Sequence, residues 1–223
     1  VSVYIDVWHR THPLTPENHR RFLDYYGEFV VAPPSDFFEV VAGFRYLEGP
    51  SNEDFALYRY ASMASIEESM LSFGAEPAFV AATEALFSEV DIEETRGIAM
   101  HLPYAPEERL DAALVAPEAE QTGRFLRVVR TCGGSVRPQA FERLEALRDA
   151  VEAGSAARLV VGFHYIVGPV MDLVEIWRLP RDGAFPVGGG GGAIDPALLS
   201  EVATLAPERE RRSLAPTDFS KLR

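Results

Sequence analysis

The residues best suited to chemistry sit on a few short alternating segments. Val3–Arg10 reads as a strand, with Val3, Ile5 and Val7 on one face and Tyr4, Asp6, Trp8 and Arg10 on the other. A pocket lined by Asp6, Trp8 and Arg10 is expected, joined by Tyr58 or Arg59 from another strand. Adjacent strand residues face opposite ways, so only one of that last pair points in. His9 falls on the face away from Trp8 unless a bulge intervenes. The bases available are His164 and His9, with Asp6 as a further acid–base group. A neutral imidazole can take a proton from a phenol near pH 7. Arg10 and Arg59 could then stabilise the resulting oxyanion. Trp8, Tyr46, Tyr165 and Trp177 would suit stacking on a planar aromatic molecule.

Each of these residues also has a plainer reading. Aromatics at strand spacing are mostly core, and a strand-end histidine is mostly a satisfied side chain. Arg59 and Arg178 lie in apolar strands, where a lone guanidinium is costly, so each should meet a carboxylate such as Asp6 or Glu175, or a ligand anion. His12, beside Pro13, belongs to a loop. His9 and His12 are three apart, a spacing that points to opposite faces of a strand and makes a poor metal pair. No phosphate loop, dinucleotide fingerprint or nucleophile elbow occurs. Gly188–Gly192 lacks the lysine of a phosphate loop and reads as a flexible connector or lid, or as an engineered replacement for a longer loop.

The elements that must position these residues come as a repeat. Residues 41–50 read VAGFRYLEGP and residues 160–169 read VVGFHYIVGP, 119 positions apart. The same spacing aligns Leu57-Tyr58-Arg59 with Ile176-Trp177-Arg178. Arg10-Thr11 aligns with Arg130-Thr131 after one residue of slippage. Under that alignment Asp6, Trp8 and His9 replace Leu126, Val128 and Val129, and His164 replaces Arg45.

In the first half, Thr15 caps a helix with Pro16 at its first position, and Phe22, Tyr26, Phe29 and Val30 form its apolar stripe. Pro33-Pro34 ends it. Strands follow over Phe38–Leu47 and Phe55–Tyr60, with Gly49-Pro50 in the turn region. Ser65 and Glu68 have capping-box spacing at the start of a helical region that breaks at Pro77, and a strand covers Gly97–Leu102. The second half repeats the order: strand Arg124–Arg130, helix from Pro138 to Gly154, strands Leu159–Ile166 and Leu173–Leu179, a helix capped by Asp195, and a strand near Arg211–Leu214. The reading is two tandem βαββαβ, ferredoxin-like α+β units, residues 1–104 and 124–223, joined by a linker at 105–123. Each unit leaves one sheet face bare, so the halves are expected to pack sheet to sheet.

Composition narrows the partners. The 223 residues carry a net charge of −13. Residues 1–104 hold 6 basic and 17 acidic side chains. That argues against nucleic acid or an anionic membrane as partner. No apolar run could span a bilayer, and no secretory pattern opens the chain. Cys132 stands alone, so a cytoplasmic setting is expected, with Cys132 a structural residue rather than a reactive thiol.

The repeated residues resemble the NIPSNAP family of the dimeric α/β barrel superfamily. The second half carries the stronger match: Arg130-Thr131, Gly162 through Gly168-Pro169, Val174-Glu175-Ile176-Trp177-Arg178, and the ending Pro216-Thr217-Asp218-Phe219-Ser220. The first half carries Arg10-Thr11, Gly43, Gly49-Pro50 and Tyr58-Arg59-Tyr60, departing at Tyr58, where the family usually has Trp. The resemblance implies a single-chain α/β barrel, and superfamily members include cofactor-free monooxygenases, polyketide cyclases, isomerases, haem enzymes and ligand-binding domains. It supplies no catalytic set to carry over by position.

The function expected is a tailoring oxygenase of bacterial antibiotic biosynthesis. It would act on a polycyclic phenol or quinone of the aromatic polyketide type, through a phenolate and O₂, without metal. No cofactor is required in this reading, though reduced flavin could assist. A cyclase or isomerase in the same pocket is one alternative, and a non-catalytic ligand-binding or scaffold protein is another. A homo-oligomer of the tandem chain is compatible with all three.

Overall fold

The computed structural model describes residues 2–13, 15–33, 35–50, 52–181, 185–186 and 194–223. The Gly188–Gly192 segment therefore lies outside the described residues. The chain forms two compact units, Val1–Ile98 with Pro216–Leu222, and Ala99–Ala215 with Arg223.

The first unit contains β1 (Val3–His12), α1 (Pro16–Tyr25), β2 (Phe38–Tyr46), β3 (Glu53–Tyr60), α2 (Met63–Ala75), α3 (Pro77–Phe87) and most of β4 (Asp91–His101). Its hydrogen-bonded strand order is β4-β1-β3-β2. Thr15 Oγ1 accepts from the Asn18 amide at 3.2 Å, which satisfies an otherwise orphaned donor at the start of α1. The helix then widens into π-type turns over Tyr26–Val31. The next helix is capped by Ser62 rather than Ser65, because Ser62 has the extended backbone of a cap and accepts from the Ser65 amide at 3.3 Å. Pro77 opens α3, as a proline at the first helical position can. Val3, Ile5 and Val7 pack with Phe22, Tyr26, Val40, Tyr58 and Ile66 in this unit's core.

The second unit contains α4 (Glu107–Leu114), β5 (Phe125–Thr131), α5 (Arg137–Gly154), β6 (Arg158–Val167), β7 (Asp172–Arg178), α6 (Pro196–Leu205) and most of β8 (Glu208–Pro216). Its order is β8-β5-β7-β6, the same arrangement as in the first unit. The expected linker is folded: α4 buries Leu110, and Arg109 Nε donates to the Leu159 carbonyl at 3.0 Å. The linker's content of alanine, proline and glutamate suggested a connector, yet alanine and glutamate are strong helix formers.

The two units repeat in register. Gly43 pairs with Ala56, and Gly162 with Glu175, both 119 residues on. Each sheet carries a bulge at the matching place, between Val40 and Ala42 and between Leu159 and Val161. The first strands differ from the sequence alignment. Ile5 lies opposite Tyr58 and Leu126 opposite Trp177, so the slippage is two residues, not one. A one-residue slip would turn every side chain to the other face, whereas two residues keep the faces matched. His9 thus corresponds to Arg130, Asp6 to Arg127, and Trp8 to Val129.

The matching glycines serve one purpose. Gly43 gives its carbonyl to the Thr217 amide at 2.9 Å, and Gly162 gives its carbonyl to the Leu102 amide at 2.8 Å. A Cβ at Gly43 would strike Phe219 and Thr217, and one at Gly162 would meet the Ala105 Cβ at 2.9 Å. The chain lies too close to either glycine for a side chain.

Candidate functional site

In the first unit a cavity of about 410 Å³ lies between the sheet and the helices. Strand alternation presents Ile5, Val7 and His9 of β1, Tyr58 and Tyr60 of β3, and Ile92, Glu94 and Arg96 of β4 to it. The helical side supplies Phe22, Tyr25 and Tyr26, then Ser69 and Phe73 of α2 and Phe79 and Thr83 of α3. The walls are largely aromatic, with polar groups at a few points, as small-molecule sites usually are.

The charged groups converge on one edge. His9 Nε2 is 3.2 Å from Glu94 Oε2, and the His9 side chain is 3 % exposed. Arg96 Nε donates to Glu94 Oε1 at 2.5 Å. Burial pushes the Glu94 carboxyl up, but His9 and Arg96 outweigh it and hold the pKa down at about 2. The His9 ring packs on Phe22 and Tyr26, with centroids 4.9 and 5.3 Å away. A carboxylate that fixes one imidazole nitrogen leaves Nδ1 as the nitrogen for a ligand, the arrangement by which a base is oriented.

Hydroxyls line the remainder. Tyr25 and Thr83 hydroxyls are 2.6 Å apart, and Ser69 donates to Tyr60 Oη at 3.4 Å. Burial raises the pKa of Tyr25, Tyr60 and, most strongly, Tyr58, so these phenols stay protonated and can donate.

Of the residues singled out in the sequence, the structure brings His9 and Tyr58 together here. It places Asp6, Trp8 and Arg10 on the opposite face of β1, as alternation requires. The Arg10 guanidinium lies 4.8 Å over the Trp8 ring and is bonded to Glu53, with Nε at 3.1 Å. Arg59 also faces away from Tyr58 and meets Glu39, not Asp6, at 2.5 Å. Arg178 donates to the Ala113 carbonyl at 3.0 Å instead of meeting Glu175, and burial lowers its pKa. Tyr46 and Tyr165 are core residues, and the Tyr165 ring stands edge-on to Phe163 at 5.7 Å.

The second unit fills the matching position differently. Trp177 stands where Tyr58 does, 1 % exposed, with its ring 5.1 Å from Phe185. Arg130, the counterpart of His9, lies 3.4 Å from Glu175, which also accepts from Tyr104 at 2.8 Å. His164 is outside this cluster and outside the first-unit cavity. Burial, then Arg137 and His101, lower its pKa against a backbone hydrogen bond at Met100. Cys132 is buried, which raises the pKa of its thiol. Glu94, Arg96 and Tyr26 escaped the sequence reading as site residues. The signal available was the polar alternation Ile92, Glu94, Arg96 next to an apolar β1 face.

No group of three or more metal-ligating side chains occurs among the described residues, and no helix there is long and apolar enough to cross a membrane. No family model and no curated protein matches the chain. Solved structures do match over nearly its whole length. An anthrone oxidase-like protein aligns with a TM-score of 0.58 at 12% identity, over 97% of this chain and 91% of that one. A proposed monooxygenase from Lactobacillus acidophilus aligns with a TM-score of 0.57 at 7% identity, over 97% and 94%. A proposed chlorite dismutase aligns with a TM-score of 0.51 at 14% identity, over 100% and 97%. At such identities the likeness is one of fold, a mixed α+β chain of ferredoxin-like sheets.

Proposed function

We propose that the chain is an oxygenase that activates a polycyclic phenol, of the kind made by aromatic polyketide assembly, by taking its proton at His9. The observation that carries this is the buried His9 imidazole held by Glu94 at the edge of an aromatic cavity. Glu94 holds the imidazole, and the aromatic walls hold the planar body and offer water few partners beside the phenolate. The name of the anthrone oxidase-like structure supports the same substrate type.

In an anthrone-type substrate the phenolate is an electron-rich enolate. Its ring carbon passes an electron to O₂ and then bonds to oxygen. Proton return and O–O cleavage release water and leave a carbonyl, so one CH₂ and one O₂ become one C=O and one H₂O. The substrate supplies all the electrons, so neither metal nor reduced flavin is needed for the balance. The partners are a small aromatic molecule and O₂, and the residues repeated between the two units support a NIPSNAP-like chain.

Oxygen uptake with an anthrone tests the proposal. Uptake that matches quinone formation and disappears in His9→Gln is expected. Turnover without O₂ consumption would mean cyclisation or isomerisation, and no turnover across a phenol panel would remove the enzyme reading.

A further inference from the structure

Tyr26 stands out among the polar groups of the cavity. Tyr25 bonds Thr83 and Tyr60 is bonded by Ser69, but the Tyr26 hydroxyl is buried with no hydrogen-bond partner among the described residues. The residue is 5 % exposed and lines the cavity. Its ring is fixed on every side: His9 at 5.3 Å, Phe22 at 5.6 Å, Tyr58 at 6.3 Å and Phe219 at 5.4 Å. A buried, unpaired hydroxyl is costly, and four packed rings prevent it from turning outwards. A phenol is a donor as well as an acceptor, so a ligand oxygen bearing negative charge would complete it.

We propose that Tyr26 is the oxyanion donor of the site, hydrogen-bonding the same ligand oxygen from which His9 takes the proton. This deepens the reading above and rests on it for the position of the ligand. It also narrows the ligand class to hydroxyarenes whose reacting oxygen is unhindered, because one oxygen must meet both an imidazole and a phenol. Aryl ethers, which can accept from Tyr26 but have no proton for His9, should bind without reacting.

A nitronaphthol whose phenol and phenolate differ in colour provides the test. Its apparent pKa on the protein is read by titration in the wild type and in Tyr26→Phe. Tyr26→Phe should raise that pKa by about one unit and weaken phenolate binding about tenfold, the size of one charge-assisted hydrogen bond. The unliganded variant should melt no lower than the wild type, since it loses only an unpaired group. Tyr165→Phe, at a core tyrosine of the second unit away from the cavity, should leave the probe's pKa unchanged. An unchanged pKa in Tyr26→Phe, or an equal shift in both variants, would overturn the assignment. A probe effect as expected with no O₂ uptake from any substrate would leave Tyr26 as an oxyanion donor and remove only the oxygenase. Failure of the wild type to bind any hydroxyarene would remove both.

Discussion

His9 and Glu94 lie on neighbouring strands of one sheet, Nε2 to Oε2 at 3.2 Å, and both point into the first unit's cavity. His9→Gln keeps a polar side chain of similar reach but removes the base. The rate of O₂-dependent turnover should fall by about 10²–10⁴-fold, the usual contribution of a positioned base. Added imidazole should restore part of it in His9→Gly. Steady-state kinetics would check both, and an unchanged rate would exclude His9.

The Glu94 carboxyl has its pKa depressed from 4.5 to about 2 in the folded chain. A depressed folded value means that stability is gained above the unfolded pKa and lost as the pH falls through the folded one. Glu94→Gln should therefore cost on the order of 1–2 kcal/mol at pH 7, a figure discounted because the side chain is 32 % exposed. The gap between wild type and variant should narrow from pH 4.5 downward and vanish near pH 2. Denaturant titrations across that window would show it; a gap independent of pH would contradict it.

In the second unit Arg130 and Glu175 are 5 % and 3 % exposed. Arg130→Leu leaves Glu175 buried with only neutral donors, Tyr104 at 2.8 Å and Trp177 Nε1 at 3.5 Å, among the described residues. A loss of about 3–5 kcal/mol is expected, because removing one partner strands the other charge. Replacing both, as Arg130→Leu with Glu175→Gln, should recover part of that loss. Thermal melts of the two variants would decide.

Gly162→Ala places a methyl against the Ala105 Cβ and Leu102 Cδ1, at 2.9 and 3.0 Å. Overpacking of this kind costs about 1–3 kcal/mol. Because the strain falls in the second unit, ligand binding in the first-unit cavity should be spared. A lower melting temperature with unchanged probe affinity is the expected pair of results.

The βαββαβ order of elements and most of their boundaries were legible because alternation and caps are local. Thr15 and Asp195 accept from amides two or three residues on, and those contacts need no distant partner. The cavity was harder to place. Alternation divided β1 correctly into Val3-Ile5-Val7-His9 and Tyr4-Asp6-Trp8-Arg10, but the polar face looked like the chemical one. The cavity lies instead on the apolar face, where one histidine interrupts a hydrophobic row. Its partner Glu94 is 85 positions away in sequence, and nothing local connects them.

The repeat misled at one point for a similar reason. Arg10-Thr11 matches Arg130-Thr131 by identity, yet pairing to the neighbouring strand places Thr131 at the level of Arg10. Identity rewards matching letters, whereas register is set by the hydrogen-bond ladder and by which side chains must be buried.

Phe219 closes one wall around Tyr26 although nearly the entire sequence separates them. During synthesis, α1 and β1 leave the ribosome long before that ring exists. The first unit's core must therefore wait, incomplete beside Tyr26, until translation has passed through the second unit. Shortening the chain ahead of Pro216 would loosen this N-terminal core.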